Sequence, residues 1–188
     1  KDIADGYYMT VMDKAVENFF DIEPYKSYRE YFNVYSVVAH SSDSGLSTIY
    51  SVNQSSCFGS QIALDGGNWN LKYDTEKCFE YACRTPTVDK DNLNKAPIVL
   101  ILNSDVYAGE TRMWQDNSAL AVIPVTRGVD SGDFRGLIHH EAGGHAFGKL
   151  GDEYIYHNHF ITHCEICSDA SIPVRHAHSL GWYRNLSL

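Results

Sequence analysis

Positive charge and long apolar runs are what this 188-residue chain has least of. Lys and Arg total 15 against 24 Asp and Glu, a formal charge of −9. An electronegative surface repels phosphate, which argues against nucleic acid or an anionic membrane surface as partner. No apolar stretch approaches the ~18 residues that would span a bilayer, so no transmembrane segment is expected. A secretory leader pattern is missing as well, and a leader or an upstream domain is expected to lie outside this sequence. Repeats and low-complexity linkers are absent. With 44% apolar and 21% charged residues, the composition is that of one ordinary globular domain over residues 1–188. Tyrosine is plentiful, 13 copies against 8 phenylalanines, which suits a polar-edged surface.

The cysteines lack an even count. Cys57, Cys78, Cys83, Cys164 and Cys167 leave at least one thiol unpaired within the chain. Cys164-Glu-Ile-Cys167, preceded by His163, has the spacing of half a zinc knuckle or of a redox dithiol. His157, His159, His176 and His178 are available to complete a structural zinc site there, although a local disulfide or two plain thiols is the favoured alternative. Cys78 and Cys83 lie five apart on a predicted helix, a spacing that gives no reason to expect a bond between them.

What the chain does have is concentrated in residues 139–154, His-His-Glu-Ala-Gly-Gly-His-Ala-Phe-Gly-Lys-Leu-Gly-Asp-Glu-Tyr. Two histidines around a glutamate on a helix are the donor set of a catalytic zinc site: imidazoles hold the metal and the carboxylate handles the proton of water. The usual zinc-protease spacing is i and i+4, whereas His140 and His145 are five apart. On a regular helix they project about 140° from one another, too far to share an ion. A π-type turn restores them to one face, and Gly143 and Gly144 make that turn least costly. No other pairing serves better, and His139 is expected to be a neighbour without a metal role. A purely structural role would have to account together for both histidines, the glutamate, the mid-helix glycines and the acidic pair that follows. The helix itself follows from Ser131 or Asp133 as N-cap, an apolar stripe of Phe134, Leu137, Ile138, Ala142 and Ala146, and Gly148 and Gly151 at its end.

This block resembles the bacterial IgA-peptidase-like zinc metallopeptidases, whose His-Glu helix runs into a Leu-x-Asp-Glu-Tyr segment, here Leu150, Asp152, Glu153 and Tyr154. Asp5-Gly6-Tyr7, Phe19-Phe20-Asp21-Ile22-Glu23-Pro24-Tyr25 and Tyr31-Phe32-Asn33-Val34-Tyr35 extend the likeness over most of the chain. The helix block is highly specific; the N-terminal matches are less so. The resemblance implies a secreted or cell-surface zinc endopeptidase with a zincin-type fold. Such families include members with four-residue spacing, so the extra residue is a departure or a subgroup feature. Dipeptidyl peptidase III is similar in separating its zinc histidines by five. Likeness to zincins with a glycine turn and a following His or Asp ligand favours Asp152 as third ligand, with Glu153 as alternative or as hydrogen-bond partner to a ligand histidine. His157, His159 and His163 are the fallback. No methionine follows Met113, so the Met-containing turn of many such sites is missing, and the domain is expected to continue beyond Leu188.

Elsewhere, Thr10 is expected to cap a helix with Met12, Ala15, Val16, Phe19 and Phe20 on its apolar face, closed by Pro24. Residues 31–39 alternate as a strand, residues 41–47 form a loop, residues 48–56 return as a strand, and Gly66-Gly67-Asn68 marks a turn. A second helix spans 75–83. Residues 97–102 read as a strand buried on both faces, and 119–125 as another directly before the zinc helix. Between them, Asn103–Asn117 is either a surface loop or, around Val106-Tyr107-Ala108-Gly109-Glu110, a sheet edge on which an extended substrate pairs.

The expectation is therefore an α/β (α+β) zincin-like domain with the zinc helix packed against a mixed sheet. Its function is zinc-dependent hydrolysis of peptide bonds in extracellular proteins, with Zn2+ on His140, His145 and Asp152 and Glu141 as general base. Tyr154 (or Tyr156) and Gly109 are candidates for contacts to substrate or oxyanion. The alternatives are a secreted protein- or glycan-binding module retaining the fold with a structural metal, and a zinc hydrolase of non-protein amides.

Overall fold

The structure is a computed structural model that describes residues 4–43, 46–47, 55–65 and 68–152. Among these, helix α1 (Tyr7–Phe19) is followed by strands β1 (Gln61–Asp65) and β2 (Asn68–Lys72) and helix α2 (Thr75–Ala82). Strands β3 (Ile98–Leu102), β4 (Glu110–Met113) and β5 (Ala119–Pro124) come next. Helix α3 (Gly132–Leu137) then passes directly into a π-helix, Ile138–Phe147. The architecture is mixed α/β, as expected.

β5 is an apolar run, Ala-Leu-Ala-Val-Ile-Pro, and all six of its residues are buried. A strand buried on both faces belongs at the centre of its sheet. The order is β3-β5-β4, with β3 parallel to β5 (Leu100 opposite Val122) and β4 antiparallel (Thr111 opposite Ala121). Side chains alternate across the strand. Ala119, Ala121 and Ile123 pack with Phe134, Leu137, Ile138, Ala142 and Ala146 of the α3/π-helix, joined by Val11 of α1. Leu120 and Val122 pack on the opposite face with Leu100, Leu102, Ile62, Leu71 and Cys78. The sheet thus sits between a helical layer and a layer built from the β1–β2 hairpin and α2. Each fully buried Leu, Ile or Phe adds roughly 1.5–3 kcal/mol of transfer free energy to that arrangement.

Helix α1 begins four residues earlier than its capping pattern predicts. Gly6, at φ +79°, forms the cap in a left-handed conformation open to glycine. The Thr10 hydroxyl instead donates back to the Gly6 carbonyl at 3.2 Å. The buried stripe shifts with it, so Val11 replaces Met12 beside Ala15 and Phe19.

Of residues 31–39, expected in a strand, Tyr31 ends a short 3-10 turn (Arg29–Tyr31) and 32–39 form no regular element and have no ladder partner among the described residues. Tyr31, Val34, Tyr35 and Val38 are exposed: alternation supplies the strand period, but without a partner strand the pattern does not become a sheet.

Most of the strand predicted at 48–56 lies outside the described residues, as do Gly66 and Gly67. Asp65 pairs with Asn68 across an antiparallel pair of strands, β1 and β2, that the sequence did not reveal. α2 begins on Asp74, whose carboxylate accepts from the Lys77 N–H at 3.0 Å. Cys57, Cys78 and Cys83 are free thiols, and burial pushes the Cys78 thiol up to about 12. Among the described residues no helix is long and apolar enough to cross a membrane.

Candidate metal centre

The Ser131 hydroxyl starts the site helix. It accepts from the Phe134 N–H at 3.0 Å and donates to the Thr126 carbonyl. Asp133, the other predicted cap, pairs with Arg127 at 2.9 Å instead. Phe134, Leu137 and Ile138 anchor the first turns in the core. From Ile138 the helix widens, and it remains a π-helix for ten residues rather than for one predicted turn. With i→i−5 bonding, two residues five apart stack on one face. His140 and His145 accordingly approach to 3.1 Å between their Nε2 atoms.

The wide helix is braced at its glycines. Tyr25 donates its hydroxyl to the Gly143 carbonyl at 2.6 Å, and its ring lies where a Cβ on Gly143 would come within 3.1 Å. At the exit, Gly148 N–H reaches Gly143 O at 2.9 Å and Leu150 N–H reaches Gly144 O at 3.0 Å. A Cβ on Gly148 would stand 2.8 Å from the Gly144 carbonyl oxygen, so only glycine fits. The left-handed residue of the exit is Lys149, at φ +54°, rather than either predicted glycine. This turn carries the Leu150 carbonyl to 2.7 Å from His145 Nδ1. It also brings Asp152 Oδ1 to 3.1 Å from His145 Nε2 and 3.5 Å from His140 Nε2.

Those three separations have a chemical meaning. His145 donates its Nδ1–H to Leu150, so its Nε2 carries a lone pair. That lone pair faces His140 Nε2 and an Asp152 carboxylate oxygen, so three atoms able to ligate a cation converge on one point. Ligands on a tetrahedral zinc at ~2.0–2.1 Å stand about 3.3 Å apart, which matches the 3.1, 3.1 and 3.5 Å edges of this triangle. The donor set fits such an ion, and among the described residues it is the one group of three or more His, Cys, Asp or Glu so arranged.

Glu141 is buried and reaches toward β4. Its Oε2 accepts from the Thr111 hydroxyl at 2.8 Å. Its Oε1 lies where a Cβ on Gly109 would come within 2.9 Å. Burial raises the carboxyl above the usual range, the Thr111 hydrogen bond and then His140 and His145 pull it back, and the Asp152 charge pushes it up again.

His139 points away from the triangle, its Nε2 at 2.7 Å from Asp21 Oδ1 and 2.8 Å from the Asn18 carbonyl oxygen. Glu153, Tyr154, Tyr156, His157, His159, His163, Cys164 and Cys167 lie outside the described residues. Three residues at the centre were not singled out from sequence: Tyr25 and Asp21, inside a segment that resembled the family without showing a role, and Thr111.

A model of the family described as IgA Peptidase M64 matches residues 5–167, from the start of α1 through the whole triangle. The chain belongs to the IgA Peptidase M64 family. No curated protein matches it. Membership of IgA Peptidase M64 makes the chain a metallopeptidase with protein or peptide as substrate class, and the His-His-Asp group is its candidate metal site.

Proposed function

We propose that this chain is a zinc-dependent endopeptidase of zincin-like design, with His140, His145 and Asp152 as metal ligands and Glu141 as general base, acting on extracytoplasmic proteins. The observation that carries the proposal is the triangle of two imidazole nitrogens and a carboxylate oxygen at 3.1–3.5 Å, on a helix widened to make it. Zinc bound there supplies a Lewis acid that polarises a carbonyl and acidifies water. The rest is the work of the chain. Glu141, buried and held by Thr111, takes the proton of the attacking water and returns it to the leaving amine; a carboxylate whose affinity for protons is raised by burial suits that exchange.

Among the described residues, β4 is an edge strand of the sheet, beside this helix. Trp114 N–H bonds Ser118 O, so by antiparallel alternation Arg112 and Glu110 also turn their main-chain groups toward β5. Thr111 and Met113 therefore present N–H and C=O to the open edge, where an extended peptide adds as a strand.

Elemental analysis of the purified protein is expected to find about one zinc per chain. His145→Ala loses metal and casein hydrolysis together, whereas Glu141→Gln keeps zinc and stability but loses at least ~100-fold in rate. Failure to take up zinc on titration, or undiminished cleavage by the glutamine variant, sinks the proposal. Binding of an intact host protein without cleavage favours the binding-module alternative, and fractionation of the source cells tests the location.

A further inference from the structure

Thr111 stands between two parts of the proposed machinery. Its hydroxyl oxygen is 2.8 Å from Glu141 Oε2 and 3.0 Å from the Glu141 carbonyl oxygen. A hydroxyl has one proton to give, and the shorter contact, to the acceptor with the greater charge, receives it. The other carboxylate oxygen packs on Gly109, whose Cα leaves no room for a side chain. Glu141 is thus gripped on both oxygens by two residues that flank Glu110 of β4. Among the described residues, the other hydrogen bonds of β4 side chains lie on the opposite face, where Glu110 Oε1 accepts from Tyr73 at 2.6 Å and from Arg112 at 2.7 Å. Thr111 also turns its own N–H and C=O to the open edge, as the β4–β5 register requires.

We infer that Thr111 is a positioning residue. Its side chain fixes the rotamer of Glu141, and its main chain is a pairing point for the peptide, so one residue sets the base relative to the scissile bond. This rests on the endopeptidase proposal for the peptide, but not for the clamp on Glu141. Without the hydroxyl, a buried carboxylate loses its neutral donor and turns to find another. Displacement of a reacting group by about 1 Å costs up to ~100-fold in rate.

The test compares zinc-loaded wild type, Thr111→Val and Thr111→Ser in the full-length chain. Val keeps the β-branched shape and removes the hydroxyl; Ser keeps the hydroxyl and removes the methyl. On a quenched-fluorescent casein peptide, kcat is expected to fall about 10- to 100-fold in T111V with KM within about twofold, and T111S is expected to recover most of it. Zinc content and Tm should stay near wild type. Unchanged kcat in T111V overturns the inference, as does a loss explained by lost zinc or unfolding, or one that serine does not restore. Crystal structures of the three proteins decide the clamp without turnover. A Glu141 carboxylate swung away in T111V but held in T111S supports it, and a carboxylate unmoved in T111V refutes it. If wild type cleaves no peptide while Glu141 swings in T111V, the endopeptidase proposal fails and the clamp stands.

Discussion

At Gly109 a missing side chain is a geometric requirement. A Cβ there would come within 2.9 Å of both Glu141 Oε1 and Leu137 Cδ2, closer than such atoms approach. Neither neighbour is free to yield, since Leu137 is core and Glu141 is tied to Thr111. Gly109→Ala is therefore expected to cost about 1–3 kcal/mol in urea unfolding, the usual penalty for overpacking, and to lower kcat by displacing the carboxylate. Alanine tolerated with wild-type stability and rate would mean that Gly109 does not constrain Glu141. The sequence marked Gly109 as a place of close approach, but to substrate. That its nearest neighbour is the proposed base depends on a contact across 32 residues that no local pattern encodes. His140, Glu141 and His145, by contrast, were legible because their spacing is self-contradictory on a regular helix, and a contradiction of that kind has few physical solutions.

Among the elements, β3 and β5 were legible because a continuous apolar run has few places to go except the middle of a sheet. β4 was not: loop and sheet edge stayed open for this segment, the edge was placed around 106–110, and the strand is Glu110–Met113, short and with charged residues on one face. The length of the π-helix was hidden for a different reason. Its geometry is sustained by Tyr25, 118 residues away, and by the exit turn, whose left-handed residue is a lysine. That exit is testable at Gly148, where an added Cβ would meet the Gly144 and Gly143 carbonyl oxygens at 2.8 and 3.0 Å. Backbone atoms cannot rotate aside as a side chain does, so Gly148→Ala must reopen the turn. Since the turn sets both the Leu150 carbonyl on His145 Nδ1 and the approach of Asp152, zinc affinity is expected to fall about 10- to 100-fold, as when a ligand histidine loses its outer hydrogen bond. Zinc titration against a competing chelator measures it. Wild-type affinity in the alanine variant would show that the turn does not hold the ligands.

Across the whole molecule, the segment following α1 acts as a buttress behind the site helix. Tyr25 bonds Gly143, and the rings of Phe19, Tyr25, Phe32 and Phe147 pack at centroid distances of 4.6–6.3 Å. Asp21 accepts from Arg135 and faces His139, over sequence separations of 114 and 118 residues. The buttress gives this molecule a pH dependence separate from that of the metal ligands. Hydrogen bonding from Arg135 chiefly holds the Asp21 carboxyl below the usual range; burial opposes it, and the His139 hydrogen bond and the charges of both partners add to the lowering. A carboxyl depressed in the folded state adds stability above its unfolded pKa of ~3.9, and that contribution is lost as pH falls through the lower folded value. Asp21→Asn removes the charge at every pH. In chelator-treated protein, where metal loss cannot contribute, wild type should therefore have the higher urea midpoint at neutral pH. The gap should be small, because the pair is open to solvent, and should narrow as acid protonates Asp21. It should also shrink in high salt, which screens an exposed pair. A gap that stays constant down to the acid limit of folding would show that Asp21 braces the helix by shape and neutral hydrogen bonding alone.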